Sequence, residues 1–313
     1  MEKRIEKREK ETEEWNMANQ FGANRGNLAK VFVPVIDEVY RHSTLTSVLD
    51  GAQELARHGA NGNELIVPTL SMDGLGNYDR DSGYVAGDVA LTNATYKCGY
   101  DRGRMFSVDA LDDQESVNVA FGWLAGEFIR SQVAPELDAY RFASYAGKEG
   151  VGKVAAGAEL ANAEALTAAL RVGLQAMDNA EVPFEDRVLF IASGLHDMID
   201  DQELTKSNRV LGAFSEIVKV PQSRFYTAVR LNDGSSSGQT EGGYAKAEGG
   251  KDLNFMIVHK GAVIQYQKHT VPKIIAPEQN PHADAWKFGY RTVGIADVYA
   301  NKLAGVYVHM KAN

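Results

Sequence analysis

A long amphipathic segment, residues 113–146, places the strongest constraint on how this chain folds. Its apolar residues recur at steps of three and four positions, which is the period of a helix rather than that of a strand. They are Val117, Phe121, Leu124, Phe128, Val133, Leu137 and Tyr140. At about 1.5 Å per residue the spacing predicts one helix of roughly 50 Å. A helix this long, with β-like sequence before and after it, favours an elongated, plate-shaped subunit.

Both ends of this helix carry boundary signals. Asp109, Asp112 and Asp113 lie at its start, where carboxylates accept hydrogen bonds from free backbone N–H groups and oppose the positive end of the helix dipole. Gly147 follows its end. Pro135 is expected to kink the helix, because proline removes one backbone hydrogen bond and its ring clashes with the carbonyl four residues earlier.

The composition fits a soluble globular protein of about two domains: of 313 residues, 44% are hydrophobic and 24% are charged. No run approaches the ~18 apolar residues of a membrane helix, and the charged start is unlike a signal peptide, so we expect an intracellular product. Cys98 is the only cysteine, which excludes an intrachain disulfide and a cysteine-based metal site. The seven histidines show no paired spacing, so each is interpreted as a structural or surface residue and not as a metal ligand. The net charge of −9 argues against a protein that binds phosphates as its main role.

The chain divides into six segments by composition. They are residues 1–27 as an N-terminal arm, 28–61 as short helices, 62–108 as an extended hairpin, 109–147 as the long helix, 148–250 as an inserted α/β unit, and 251–313 as closing strands. The first 14 residues carry five basic and six acidic side chains. They are either a frayed terminus or an arm that reaches a neighbouring subunit.

The predicted hairpin, residues 62–108, has a tip that is rich in turn formers, residues 71–83. Its later strand alternates at Phe106 and Val108, which are expected to share one face. The tip has too few apolar residues to form a domain, so it either folds back on its own subunit or lies across a neighbour. In the second case Leu75, Tyr78 and Arg80 are the predicted contacts between subunits.

The inserted unit is predicted from its own pattern. Ala161–Met177 is an alanine-rich helix, Val188–Ala192 a buried strand, and a short helix begins near Ser193. Residues 232–250 are rich in glycine and serine, which is typical of a mobile loop or an internal linker.

The stretches that resemble catalytic or nucleotide-binding motifs each lack a residue or a context that the chemistry requires. Residues 147–154 match GxxxxGK, but Val154 stands where a phosphate loop needs a hydroxyl for Mg²⁺, and a helix rather than a strand precedes the motif. Ser193 lacks the GxSxG context of a hydrolase, and adjacent aspartates at helix ends are ordinarily caps. We therefore expect no enzyme, no cofactor and no metal site.

Arg102 and Arg104 are the more informative polar pair, with Asp101 and Asp109 nearby. Guanidinium groups form planar, two-pronged bonds to carboxylates, so arginines on a strand that leads into a helix commonly join subunits. Arg102 and Arg104 are therefore predicted contacts between subunits. The alternative is a salt bridge within one subunit.

Two stretches resemble a known family. Residues 98–116, CGYDRGRMFSVDALDDQES, leading into residues 119–146, and residues 254–310 from NFMIVHKGAVIQYQ to LAGVYVHM, are similar to the major capsid proteins of tailed bacteriophages, the Hong Kong 97-type fold. The resemblance implies an α+β fold with a peripheral domain that holds a long spine helix, an inserted axial domain, an extended E-loop and an N-terminal arm. Segments 1–27, 62–108 and 148–250 then correspond to the N-terminal arm, the E-loop and the axial domain. Segments 28–61, 109–147 and 251–313 together form the peripheral domain, and segment 109–147 is its spine helix.

The same resemblance implies a function and partners. Copies would assemble as pentamers and hexamers into an icosahedral shell that encloses double-stranded DNA, in the host bacterial cytoplasm and then in the virion. Portal, scaffolding and decoration proteins are further expected partners, and no membrane is. Some relatives join an E-loop lysine to an asparagine of a neighbour; Lys97 lies in that stretch, but no asparagine stands out as its mate.

Two other functions stay open at this point. An encapsulin-like compartment shares the fold and would enclose a protein cargo instead of DNA. An enzyme of another class would require a small oligomer with a ligand-filled pocket.

Overall fold

A computed structural model of the chain describes residues 43–50, 57–58, 64–81, 83–110, 124, 126–154, 157–200, 209–269 and 273–312. The predicted arm, residues 1–27, and the first part of the predicted long helix, residues 111–123, lie outside the described residues. Among those that are described, no helix is long and apolar enough to cross a membrane.

The described helices are α1 (Ala134–Gly147), α2 (Ala163–Asn179) and α3 (Ser193–Asp200). The described strands are β1 (Arg57–His58), β2 (Glu64–Met72), β3 (Val89–Lys97), β4 (Tyr100–Asp109), β5 (Gly152–Lys153), β6 (Arg187–Ala192), β7 (Glu216–Val220), β8 (Val229–Leu231), β9 (Tyr244–Lys246), β10 (Leu253–His259), β11 (Val263–His269), β12 (Lys273–Ile275), β13 (Ala285–Val298) and β14 (Val306–Met310). Short 3₁₀ turns join several of them, the first at Leu45–Leu49. The presence of both helices and mainly antiparallel strands confirms the predicted α+β class.

The predicted long helix is present over its described part. A π-helical turn at Ile129–Val133 leads directly into α1. Pro135 is the second residue of α1 and has no N–H group to donate to the preceding turn, and the change from π to α geometry falls just before it. Gly147 is the last residue of the helix, which therefore ends one position later than predicted.

A five-stranded sheet forms the larger core, in the order β5-β14-β10-β6-β7. All six residues of β6 are buried because both faces of the sheet are covered. One face packs against α1 through Phe142, whose ring lies 5.1 Å from that of Phe190. The other face packs against α2 and α3 through residues such as Leu166 and Leu170.

A four-stranded sheet forms the second core. The long strand β13 pairs with β4 along one edge and with β11 and β12 along the other, in antiparallel register throughout. Ile129, Val133 and Leu137, from the π turn and α1, pack on this sheet against Phe288 and Tyr290. The long helix therefore joins the two sheets, since its first half packs on one and its second half on the other.

This strand pairing differs from the predicted division of the chain at residue 250. Two strands assigned to the closing segment, β10 and β14, pair with each other and β10 pairs with β6 of the inserted unit. The reason is that their side chains are buried on both faces, which requires a central position in a covered sheet. Within the inserted unit the predicted helix, strand and short helix are confirmed as α2, β6 and α3.

A buried carboxylate ties the segment at residues 44–50 to the long helix. Asp138 is fully buried and accepts hydrogen bonds from the N–H groups of Leu45 and Thr46 and from the Thr46 hydroxyl, at 2.7–3.1 Å. Arg224 approaches its Oδ2 atom at 3.2 Å. Burial raises the pKa of Asp138, while these hydrogen bonds act in the opposite direction.

Candidate assembly surface

The segment predicted as a hairpin is a two-stranded antiparallel ladder. β2 and β3 pair without a break from Glu64 opposite Lys97 to Met72 opposite Val89. β4 then leaves the ladder and pairs with β13, so the return strand is divided in two, with the paired hairpin ending at Lys97. Among the described residues no further strand pairs with β3, which leaves one edge of the hairpin open.

The hairpin tip, residues 73–88, is held by hydrogen bonds of its own. The N–H of Asp73 donates to the Asp88 carbonyl, and the N–H of Asp88 donates to the Asp73 carboxylate at 2.8 Å. Asp79 and Gly83 form an isolated antiparallel bridge around Arg80, which lies in the turn between them. The tip is therefore a shaped element that projects from the subunit.

The hairpin exposes most of the large apolar side chains that the described residues leave in solvent. Seven belong to residues 72–91: Met72, Leu75, Tyr78, Tyr84, Val85, Val89 and Leu91. Leu75 is fully exposed and Tyr84 is 90% exposed, and the rings of Tyr78 and Tyr84 meet edge to face at 4.9 Å. Scattered apolar residues on a surface are ordinary, but seven of them within one hairpin and its tip are typical of an interaction surface.

Charge accompanies this apolar surface. Residues 71–88 contain four aspartates, Asp73, Asp79, Asp81 and Asp88, and one arginine, Arg80, so their formal charge is −4 + 1 = −3. All five side chains are exposed. A partner surface is thus expected to offer apolar contacts together with positive charge.

At the base of the hairpin, Arg102 forms an ion pair within the same chain. Its Nε atom donates to Oε1 of Glu136 on α1 at 2.8 Å, and the hydroxyl of Tyr100 donates to the same oxygen at 3.1 Å. Burial, followed by the charge of Glu136 and its hydrogen bond, raises the pKa of Tyr100 well above its usual range. This ion pair is the intrachain alternative that the sequence left open for Arg102.

Arg104 lies two residues along the same strand and contacts a different element. Its guanidinium donates to the carbonyls of Thr240 and Glu241 at 3.2–3.3 Å. Gly234 and Gly242 approach it so closely that a Cβ atom at either position would lie 3.2 or 3.1 Å from Arg104 Nη1, and both have positive φ angles. The segment predicted as a mobile loop or linker therefore curls around Arg104 at residues 232–243, which we call the arginine loop.

A cleft of about 390 Å³ lies between β4, the π turn and the arginine loop. Its wall includes aromatic rings of Phe106, Phe128 and Tyr290, with Phe106 and Phe128 edge to face at 4.7 Å. Polar groups of Arg102, Arg104, Glu136 and Asn232 line its opening and sides. In the described part of the chain, no group of three or more His, Cys, Asp or Glu residues is placed to hold a metal ion.

Comparison with known proteins gives a structural match without a sequence match. The sequence matches no protein-family profile and no curated protein. A solved structure from Mycobacterium phage Che8 is similar with a TM-score of 0.58 and 13% identity, over 85% of this chain and 90% of that one. The capsid structure of Staphylococcus phage Andhra is similar with a TM-score of 0.55 and 11% identity, over 85% and 86%. A virus-like particle from Pyrococcus furiosus is similar with a TM-score of 0.50 and 13% identity, over 87% and 98%.

These likenesses define the class of fold. The chain has the fold of tailed-phage major capsid proteins, the Hong Kong 97-type fold, as the resemblance in the sequence implied. The coverage is high on both sides, so the match concerns whole subunits and not a shared motif.

Sequence reasoning identified only part of this surface. Leu75, Tyr78 and Arg80 are exposed in the tip, and their role as contacts between subunits stays a prediction. The exposed residues of the return strand were missed, although Val89 and Leu91 alternate as strand residues do. The partner of Arg102 was missed because Glu136 is 34 positions away and no local pattern links them.

Proposed function

We propose that this chain is a major capsid protein whose copies assemble into the icosahedral head shell of a tailed bacteriophage or prophage and enclose double-stranded DNA. The shared fold with phage capsid structures is the observation that carries the proposal. The hairpin supports it, because seven exposed large apolar side chains in its strands and tip are typical of a surface that a partner covers.

The parts of the subunit have matching roles in this proposal. The hairpin β2–β3 acts as the E-loop and lies on a neighbouring copy, with Leu75, Tyr78 and Arg80 as contacts. Arg104 remains a proposed contact between subunits, since its guanidinium is bonded only to carbonyl oxygens among the described residues. The five-stranded sheet with α2 and α3 acts as the axial domain, which then includes β10 and β14.

The partners follow from the same role. Copies of the chain associate as pentamers and hexamers, and portal, scaffolding and decoration proteins join the shell. DNA is an enclosed neighbour without sequence-specific binding, and the net charge of −9 suits a container that must not adhere to it. The protein acts through assembly and not through catalysis, first in the host cytoplasm and then in the virion.

A second function is favoured by one specific observation. The virus-like particle from Pyrococcus furiosus is similar to this chain over 98% of its own length. An encapsulin-like compartment that encloses a cargo enzyme is therefore the alternative.

The contents of purified particles separate the two functions. Particles from cells that carry the whole gene cluster are treated with nuclease, opened, and analysed for DNA and for protein. Nuclease-protected double-stranded DNA supports the head shell. A co-purified enzyme in shells without DNA would support the compartment instead.

A further inference from the structure

The cleft between β4, the π turn and the arginine loop has the size and the lining of a binding site. Its volume of about 390 Å³ falls in the range of roughly 300–1,000 Å³ that ligand sites usually have. Its wall combines the aromatic rings of Phe106, Phe128 and Tyr290 with a few polar groups. Apolar walls with a small number of placed polar groups give both affinity and orientation.

Two polar features of the cleft define what would bind there. The Oδ1 atom of Asn232 is buried and has no hydrogen-bond partner among the described residues, while its Nδ2 atom donates to the Gly242 carbonyl at 2.9 Å. A buried acceptor without a donor is costly, and Asn232 lines the cleft, so a donor group that enters the cleft and reaches Oδ1 would relieve that cost. The guanidinium of Arg104 bonds to carbonyl oxygens and not to a carboxylate in the described part of the chain, so its positive charge is available to an anion.

The hairpin tip carries the complementary groups. Tyr78 and Tyr84 are exposed aromatic rings whose hydroxyl groups are hydrogen-bond donors, and both lie in a segment with a formal charge of −3. Asp81 is exposed and lies between the two tyrosines in the chain. A tyrosine and a carboxylate in the same tip match an aromatic wall, an unsatisfied acceptor and a guanidinium that has no carboxylate partner among the described residues.

The tip of the same subunit is held away from this cleft. Tyr100 in the cleft wall follows the end of β3 by only three positions, so the cleft lies at the base of the hairpin. β2 and β3 are nine residues each, which at about 3.3 Å per residue puts the tip roughly 30 Å from that base. While the strands stay paired, only the tip of another copy can enter.

We propose that the cleft receives the hairpin tip of a second copy of this chain, with Tyr84 against the aromatic wall and Asp81 facing Arg104. This inference rests on the proposed function and adds to it a defined receptor for the tip. It also assigns a role to the arginine loop, which positions Arg104 at the opening of the cleft.

Paired charge reversal tests the contact. Arg104→Glu and Asp81→Arg should each raise the protein concentration needed for assembly about tenfold or more, because like charges then face each other. The double variant should recover most of that loss. A second double variant, Asp81→Arg with Arg171→Glu, carries the same net charge but changes an exposed residue of α2 outside the cleft, and it should not recover. Single variants that assemble like the wild type, or equal recovery in both double variants, would overturn the proposal.

Variants at Tyr84 test the same contact without replacing Arg104, so that a folding defect in Arg104→Glu is not mistaken for a lost contact. Tyr84 is 90% exposed and supports little of the subunit. Tyr84→Phe should weaken assembly and Tyr84→Ala should weaken it further, with unchanged circular dichroism. Assembly by Tyr84→Ala at the wild-type concentration would contradict a tyrosine in the cleft.

Disulfide trapping gives the location directly. In a Cys98→Ser background, Asp81→Cys with Arg104→Cys should yield chains linked in series after oxidation of assembled protein, whereas Asp81→Cys with Arg171→Cys should not. Particles that form without this link overturn the docking alone. If the wild-type chain forms no particles or oligomers at all, the shell function fails and the docking fails with it.

Discussion

Arg102 on β4 and Glu136 on α1 form an ion pair, with 2.8 Å between Nε and Oε1, that fixes the base of the hairpin to the long helix. The side chains are 24% and 10% exposed, so the pair is largely shielded from water. The hydroxyl of Tyr100 completes the group by donating to the same carboxylate. The contact therefore ties β4, the strand that follows the hairpin, to the long helix.

Glu136→Gln should lower the free energy of unfolding by about 1–2 kcal/mol, because a charged hydrogen bond is lost while Arg102 stays partly buried. Urea denaturation of dilute subunits measures the change. Arg130→Gln is the matched control, since its pair with Glu127 is 64% and 40% exposed and should contribute less than about 0.5 kcal/mol. Equal effects of the two variants would contradict a special role for the shielded pair.

Arg102→Glu is expected to behave differently from Arg104→Glu. The first places a second carboxylate beside Glu136 and should lower subunit stability, whereas the second changes an exposed residue and should affect assembly far more than folding. Circular dichroism and light scattering of both variants separate these effects. Intact folding in both variants together with lost assembly in both would instead favour contacts between subunits at both positions.

Asp138→Asn should lower the free energy of unfolding by about 3 kcal/mol, because an amide nitrogen would then face N–H donors and Arg224 would lose its counter-charge. Thermal and urea denaturation measure the loss. Asp101→Asn, in the exposed pair with Arg291, is the control and should cost less than about 1 kcal/mol. A near-neutral Asp138→Asn would show that the segment at residues 44–50 is held by other contacts.

Subunit stability should fall when the pH is lowered from about 7 to about 5.5. Burial lowers the pKa of His309, whose Nδ1 atom lies 3.1 Å from Asn254 Nδ2. In the unfolded chain this imidazole is protonated near its usual pKa of about 6.5. Below that pH the unfolded chain therefore binds more protons than the folded chain, so acid shifts the equilibrium toward the unfolded state. His309→Gln should flatten the dependence, as measured by urea denaturation across that range.

His259 provides the comparison for this pH effect. Burial lowers its pKa too, so it acts in the same direction, but its side chain is only half-buried. His259→Gln should therefore flatten the dependence less than His309→Gln. A slope that is unchanged in both variants would assign the acid sensitivity to other groups.

Trypsin should cut after Arg80 in unassembled subunits and not in particles. The turn at Arg80 is exposed in the subunit, and a neighbouring copy would cover it in the shell. Gel electrophoresis and mass spectrometry of the fragments identify the cut, and Arg80→Gln removes it as a control. Equal protection before and after assembly would mean that the hairpin is not the element that lies on the neighbour.

Local sequence patterns were sufficient to predict the elements that have a clear periodicity or a run of β-branched residues. The alanine-rich helix, the buried strand β6 and the short helix α3 follow from periodicity and from a run of β-branched residues. The 14-residue strand β13 was not predicted, although Trp286, Phe288 and Tyr290 alternate along it. Its glycines and the preceding turn-rich segment obscured that signal.

The cleft could not be predicted, because its parts come from distant positions. Arg104 and Thr240 are 136 residues apart, and only folding brings the arginine loop to β4. The sheet order was missed for the same reason. The composition of β10 and β14 is that of buried strands, but no local sequence pattern indicates that β10 pairs with β6. The residue types indicated which side chains could form contacts, but their partners are set by the tertiary structure.

Electron microscopy of the purified chain in negative stain shows whether copies of this chain close into a shell. We expect closed shells, or pentamers and hexamers that close on a change of salt or pH, with walls one subunit thick. A chain that remains monomeric at high concentration across those conditions, by microscopy and light scattering, would contradict this expectation.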